Sequence, residues 1–175
     1  MRLVFSLDVE EEGLFSGSYE REPRGLRNVA LLRRLEWVTR DFGVPLTLLA
    51  TWPVFSDPAR ADLLRGLRDD LGAEIGAHLH PWNTPPFSPE DRGAPSASRL
   101  PAPLLARKLE TLCEAARACS GVRPVSFRMG RWDFTEAVRD ALPGAGIRVD
   151  SSVQPLAAPP AGTEHFLDWG DPRPL

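Results

Sequence analysis

Residues 73–82 read AEIGAHLHPW, and the reading of the fold works outward from them. The run is short, rich in apolar and small residues, and bounded by Gly72 before it and Pro81 within it, which is the pattern of a buried strand. Before it, Leu64, Leu67 and Leu71 recur at helical spacing behind Asp57, an N-cap type, with Pro58 at the first helical position and Gly72 as the stop. After it, Leu105, Leu109, Leu112 and Ala116 form a second helical stripe. The alternation repeats along the chain. Residues 2–8, 45–51, 124–128 and 146–150 read as further strands. Leu31, Leu35, Val38 and Phe42 predict a helix that stops at Gly43, and Phe134, Val138 and Ala141 predict a short one opened by Asp133. Strand and helix in strict alternation predict an α/β fold with a parallel sheet.

The composition sets the outer limits. A chain of 175 residues, 42% hydrophobic and 26% charged, is expected to form a single domain, and neither an internal repeat nor a domain boundary is evident. Cys113 and Cys119 lie six apart on a helical stretch, on different faces, and read as small buried residues rather than a disulfide. Lys+Arg number 21 and Asp+Glu 24, mixed along the chain, so there is no basic stripe for nucleic acid and no polybasic membrane anchor. The basic side is almost wholly arginine, with Lys108 the single lysine. No apolar run approaches the ~18 residues of a membrane span, and MRLVFSL is too short and too soon acidic for a signal peptide, so the expected location is the cytoplasm. Proline is abundant, at 18 residues, and concentrates in 81–103 and 155–174. The first of these stretches leaves directly from the histidines and is read as a loop that folds over a groove.

The polar residues gather where strands end. Asp8, Glu10, Glu11 and Glu12 follow the first strand, His78 and His80 the third, Arg128 and Arg131 the fourth, and Asp150 closes the fifth. In a parallel sheet these positions share the carboxyl edge, where α/β folds place their sites. His80 precedes Pro81, which favours extended backbone, so the rings of His78 and His80 point the same way and suit a metal; two partly buried histidines bonded to backbone is the alternative. Asp8 closes an apolar strand and is expected to be sheltered, whereas Glu11 and Glu12 read as a solvated loop start. A carboxylate and two imidazoles with an open position for water make a hydrolytic metal site, with a second carboxylate as base. Trp37 and Trp52 are expected to pack in the core or at a strand end, and Met129 to pack.

The motifs SLDVEEEG, EIGAHLHPWNTPP, SFRMGRWDF and VDSSV, in this order, resemble the polysaccharide deacetylases of the NodB-homology type, over roughly residues 2–155. The resemblance implies a distorted (β/α) barrel that removes N- or O-acetyl groups from a carbohydrate with a divalent metal, often zinc. It assigns Asp8 as the catalytic base, Glu10 and His78 as metal ligands, Arg128 as the partner that orients the base, and Trp132 as a wall of the substrate groove. Two departures stand out. The family's second histidine lies four residues after the first, where this chain has Trp82, so His80 takes the ligand role, as in a subset that reads His-x-His-Pro-Trp. The family's late histidine, which protonates the leaving amine, has no counterpart, since His165 sits in the proline-rich tail and is read as surface. Trp82, Arg131, Trp132 and Asp150 are candidate substrate contacts. With five strands assigned, the barrel is expected to be incomplete at its C-terminal side. Two other readings stay open: hydrolysis of a cyclic amide or ureide on the same scaffold, and a glycan-binding domain without catalysis.

Overall fold

The structure, a computed structural model, describes residues 3–17, 19–22, 25–91 and 96–153. Five strands, β1 (Phe5–Val9), β2 (Leu46–Ala50), β3 (Glu74–Leu79), β4 (Ser126–Met129) and β5 (Val149–Asp150), form one sheet in the order β1-β2-β3-β4-β5. Every neighbouring pair is parallel. Between the strands run α1 (Glu36–Phe42), α2 (Trp52–Ser56), α3 (Pro58–Leu71), α4 (Ala102–Ser120) and α5 (Glu136–Ala141). A parallel sheet whose spatial order equals its chain order never reverses direction, which is the path of a (β/α) barrel and not of a doubly wound sheet. Among the described residues the sheet ends at β1 and β5.

Register sorts the side chains onto two faces. Leu48 pairs with Ile75, Ala50 with Ala77, Ala77 with Phe127 and Leu79 with Met129, and these fully or nearly buried residues make one continuous apolar face. Leu64, Leu67, Leu105, Leu109, Leu112 and Val138 from the helices are buried in the same core. The opposite face is polar: Ser6 pairs with Thr47, Thr47 with Glu74, and His78 with Arg128. That face curls. Arg128 on β4 donates to both Asp8 Oδ1 and Ser6 Oγ on β1, each at 2.7 Å. On a flat sheet three spacings of roughly 4.8 Å would separate these strands, with side chains standing off perpendicular to it, so the contacts require strong curvature.

Local chemistry explains most boundaries. Asp57 caps α3 by accepting from the Ala59 N–H, Pro58 follows it, and Gly72 closes the helix in the left-handed region, as the spacing predicted. Cys113 and Cys119 are free and buried, and burial pushes the Cys113 thiol up to about 11. Three expectations are corrected. Residues 29–35 form a 3-10 helix that leads into α1, so three residues per turn put Val29 and Leu32 in the core while Leu31, Trp37 and Phe42 are exposed. The cap of α5 is Thr135, which accepts from the Val138 N–H, whereas Asp133 turns away to accept from the Ala97 N–H. A short helix, α2, follows β2 directly, where no helical stripe was evident.

Residues 84–91 of the proline-rich segment are tied to α4. Lys108, the only lysine, is wholly buried on α4, and its ammonium donates to Thr84 O at 2.6 Å, Pro86 O at 2.9 Å and Asp91 Oδ2 at 3.0 Å. Burial lowers the Lys108 pKa against the opposing pull of Asp91. Breaking one partner of such a pair strands the other charge. Lys108→Met is therefore expected to destabilise the protein by about 3–5 kcal/mol in urea unfolding. Lys108→Met combined with Asp91→Leu is expected to be less destabilised than Lys108→Met alone, since no lone charge remains.

Candidate metal centre and active site

The carboxyl ends of β1, β3 and β4 build the site. His78 stands in register with Arg128, and its Nδ1 lies 3.0 Å from that residue's carbonyl oxygen. His80 continues past the end of β3 and places Nδ1 3.3 Å from Glu11 Oε1. A carbonyl and a carboxylate can only accept, so each ring carries its hydrogen on Nδ1 when neutral and turns a bare Nε2 inward. The two Nε2 atoms lie 3.1 Å apart, and each is 3.3 Å from Glu10 Oε2. Trp82 holds the arrangement from behind, stacked on His80 with ring centres 4.3 Å apart and planes 20° from parallel.

Three lone-pair atoms facing one another at 3.1–3.3 Å repel unless something positive lies among them. A tetrahedral ion with ligands at about 2.0–2.1 Å sets ligand atoms roughly 3.3 Å apart, so the donor set suits a zinc-like cation in both chemistry and spacing. The electrostatics agree. Burial by itself would raise the Glu10 pKa, but hydrogen bonds from the His78 and His80 rings in their protonated form prevail and hold it at about 2. Burial by itself would lower the His80 pKa, but Glu10 and Glu11 prevail and raise it. Both shifts say that this cluster draws positive charge, whether proton or metal ion.

Beside the cluster sits the Asp8–Arg128 pair at 2.7 Å. Arg128 is fixed on all sides: its other guanidinium nitrogens donate to Ser6 Oγ and to the Ser151 carbonyl and hydroxyl, and its plane lies 4.9 Å from the Trp132 ring centre. A pocket of about 360 Å³ opens over these groups, lined by Asp8, Glu10, Tyr19, His78, His80, Trp82, Arg131 and Trp132. Arg131 and Trp132 are both at φ 58°, in the left-handed region. Holding two consecutive residues with side chains there costs on the order of 1–3 kcal/mol each. The turn aims Trp132 at Arg128 and sends Arg131 to the Tyr19 hydroxyl and ring.

The structure thus brings together Asp8, Glu10, His78, His80, Arg128, Trp82, Arg131 and Trp132. It does not bring in Asp150. That residue pairs with Phe127 on the apolar side of the sheet, where its carboxylate accepts from the Ser152 hydroxyl and N–H and burial raises its pKa. The segment serves the site through Ser151 instead. Arg131 meets Tyr19 and not a site carboxylate. Glu11 is the larger correction: it is 5% exposed, not solvated, and accepts from His80, Asn83 and Thr51. No short-range signal marks it, because Glu11 lies past the last residue of β1 and its partners are distant in the chain. Nothing in the sequence pointed to Asn83 or Tyr19. His165 and the tail from Pro155 lie outside the described residues.

No protein-family model and no curated protein matches the chain. Solved structures do. The fold is that of the family 4 carbohydrate esterases. A chitin deacetylase from Colletotrichum lindemuthianum aligns with TM-score 0.55 and 16% identity over 85% of this chain and 54% of its own. A family 4 carbohydrate esterase from Streptomyces lividans, solved with acetate, aligns with TM-score 0.53 and 14% identity over 83% of this chain and 60% of its own. A family 4 pseudoenzyme from Bacillus anthracis aligns with TM-score 0.55 and 12% identity over 85% of this chain and 42% of its own. The chain therefore spans about half the length of these structures. At such identities the likeness establishes the fold, and function has to be argued from the site.

Gly130 provides a direct test of the site's packing. A Cβ there would press into the His80 ring and lie 2.7 Å from the Leu79 carbonyl oxygen, so the turn that follows β4 can pass this close only with glycine. Gly130→Ala is expected to displace His80 and weaken binding of a divalent ion by about tenfold or more, a loss of the size caused by disturbing a ligand's support. Calorimetric titration of variant against parent checks it.

Proposed function

We propose that the chain carries the metal site and the base of a zinc-dependent deacetylase that hydrolyses N-acetyl groups on a carbohydrate. The observation that carries the reading is the meeting of Glu10, His78 and His80, with bare nitrogens turned inward, beside a carboxylate that is not one of the three: Asp8. A zinc ion bound there supplies Lewis acidity, polarising the acetyl carbonyl and making a water easier to deprotonate.

The chain's own groups do the rest. Asp8 Oδ1 is held by Arg128, which fixes the orientation of the carboxylate and leaves Oδ2 to accept the proton of the attacking water. Arg128 is an orienting group and not the proton acceptor, since a guanidinium stays protonated at any working pH. Tyr19, Trp82 and Trp132 give the pocket aromatic walls, and such faces suit a sugar ring. Support from the comparisons is at the level of fold: the Colletotrichum relative is a chitin deacetylase and the Streptomyces relative was solved with acetate.

A second reading has its own support. Among the described residues the pocket holds no third histidine to protonate a leaving amine, and the Bacillus relative is a pseudoenzyme. Glycan binding without turnover is that reading. One set of measurements separates the two. The parent protein is expected to take up one equivalent of zinc and to release acetate from N-acetylglucosamine oligomers, faster than from O-acetylated xylan and without turnover of small cyclic amides. Asp8→Asn is expected to keep the zinc and lose about 10²–10⁴-fold in kcat, the usual contribution of a general base. Zinc uptake with no acetate release, unchanged by Asp8→Asn, would select the binding reading, and absence of zinc uptake would sink both the metal and the deacetylase.

A further inference from the structure

We propose that Glu11 is a positioning residue whose role is to hold His80 in the form that presents a bare Nε2 to the metal site, and that Thr51 and Asn83 exist to hold Glu11. The inference rests on the metal reading of Glu10, His78 and His80. It concerns a residue outside that ligand set.

The geometry is specific. Glu11 follows β1, Thr51 follows β2 and His80 follows β3, so the carboxylate ties the ends of three adjacent strands. Its Oε1 takes the His80 Nδ1 hydrogen at 3.3 Å and the Asn83 amide at 2.5 Å, and its Oε2 takes the Thr51 hydroxyl at 3.1 Å. All four residues are buried. Among the described residues no arginine or lysine pairs with Glu11, and its only ion-pair partner is His80. Burying a carboxylate without a cation is costly, and two neutral donors would be served as well by glutamine. What calls for the negative charge is the imidazole edge, which becomes a stronger donor when the opposite nitrogen gives its lone pair to a cation.

Asn83 carries a second mark of the same function. With its amide turned to the carboxylate, its Oδ1 is buried with no hydrogen-bond partner among the described residues, a penalty the fold accepts in order to aim the NH₂ at Glu11. His78 obtains the same orientation from a backbone carbonyl, which no side-chain substitution removes. His80 lies beyond the last residue of β3, where no paired strand offers a carbonyl, and needs a side chain for the purpose.

The test reads tautomer and affinity separately. Nitrogen-15 NMR of the metal-free parent, read on the neutral form of His80, is expected to show its hydrogen on Nδ1, and a hydrogen on Nε2 would overturn the proposal without any variant. Glu11→Gln is expected to shift His80 toward the Nε2–H form and to weaken zinc binding about 10–100-fold, the usual consequence of removing a ligand's outer partner. Thr51→Val, which leaves the carboxylate in place with one bond fewer, is expected to move both readouts the same way by less, and stands in should Glu11→Gln fail to fold. Zinc binding within threefold of the parent in a folded Glu11→Gln protein would overturn the proposal and leave the metal reading intact. A parent that binds no zinc, while Glu11→Gln still shifts the tautomer, would reject the metal reading and retain Glu11 as the group that orients His80.

Discussion

The contact between Arg128 and Asp8 is the constraint on which the site depends. It joins β4 to β1 across two intervening strands, so it exists only because the sheet curls, and it stands at the carboxyl edge where the other polar groups arrive. The same guanidinium holds Ser6, Ser151 and the face of Trp132. One planar group with five donors thus fastens the first strand, the fourth and the segment after the fifth around a common centre. A lysine in this place, with all its donors on one nitrogen, would not span partners spread around a planar fork.

Within that frame the apolar and polar faces of the sheet divide the labour. The apolar face packs on the helices and provides the burial that drives folding, while the polar face collects groups that would be expensive in a core unless paired. Its charged and imidazole groups find partners, Asp8 with Arg128, His78 with a backbone carbonyl and His80 with Glu11, and on α4 Lys108 pairs with Asp91 under the loop that carries Trp82 and Asn83. Glu10 and the two inward nitrogens are the exception, since they are turned toward one another rather than toward protein donors. That concentration of unshared lone pairs is what distinguishes a centre built to hold a cation from a set of polar groups satisfied within the fold.

Much of this was legible in the chain. The strand of His78 and His80, the capped helix ending at Gly72 and the parallel α/β class follow from short-range pattern, because strands and helices impose their periods on neighbouring residues. The motif residues Asp8, Glu10, His78, His80 and Arg128 do meet. Glu11 was misread because a run of three glutamates looks solvated, and its burial depends on Thr51 and Asn83, which are 40 and 72 residues away. The phase of the first helical segment was misread because a 3-10 turn and an α turn share many apolar spacings, and packing chose between them. Asp150 was misplaced by one residue of parity, which on a strand moves a side chain to the other face.

By itself the sequence determined the class of fold, the order of its strands and the residue types at the strand ends, since these depend on local periodicity and on caps and breakers only a few residues away. Tertiary structure alone decided which of those residues face a common point. The curvature that brings β4 to β1, the tautomers set by a distant carbonyl and a distant carboxylate, and the left-handed turn at Arg131 and Trp132 all depend on contacts between residues far apart in the chain. Chemistry at the site depends on distances of about 3 Å between donors and acceptors, and only the packed sheet and its loops set distances that fine.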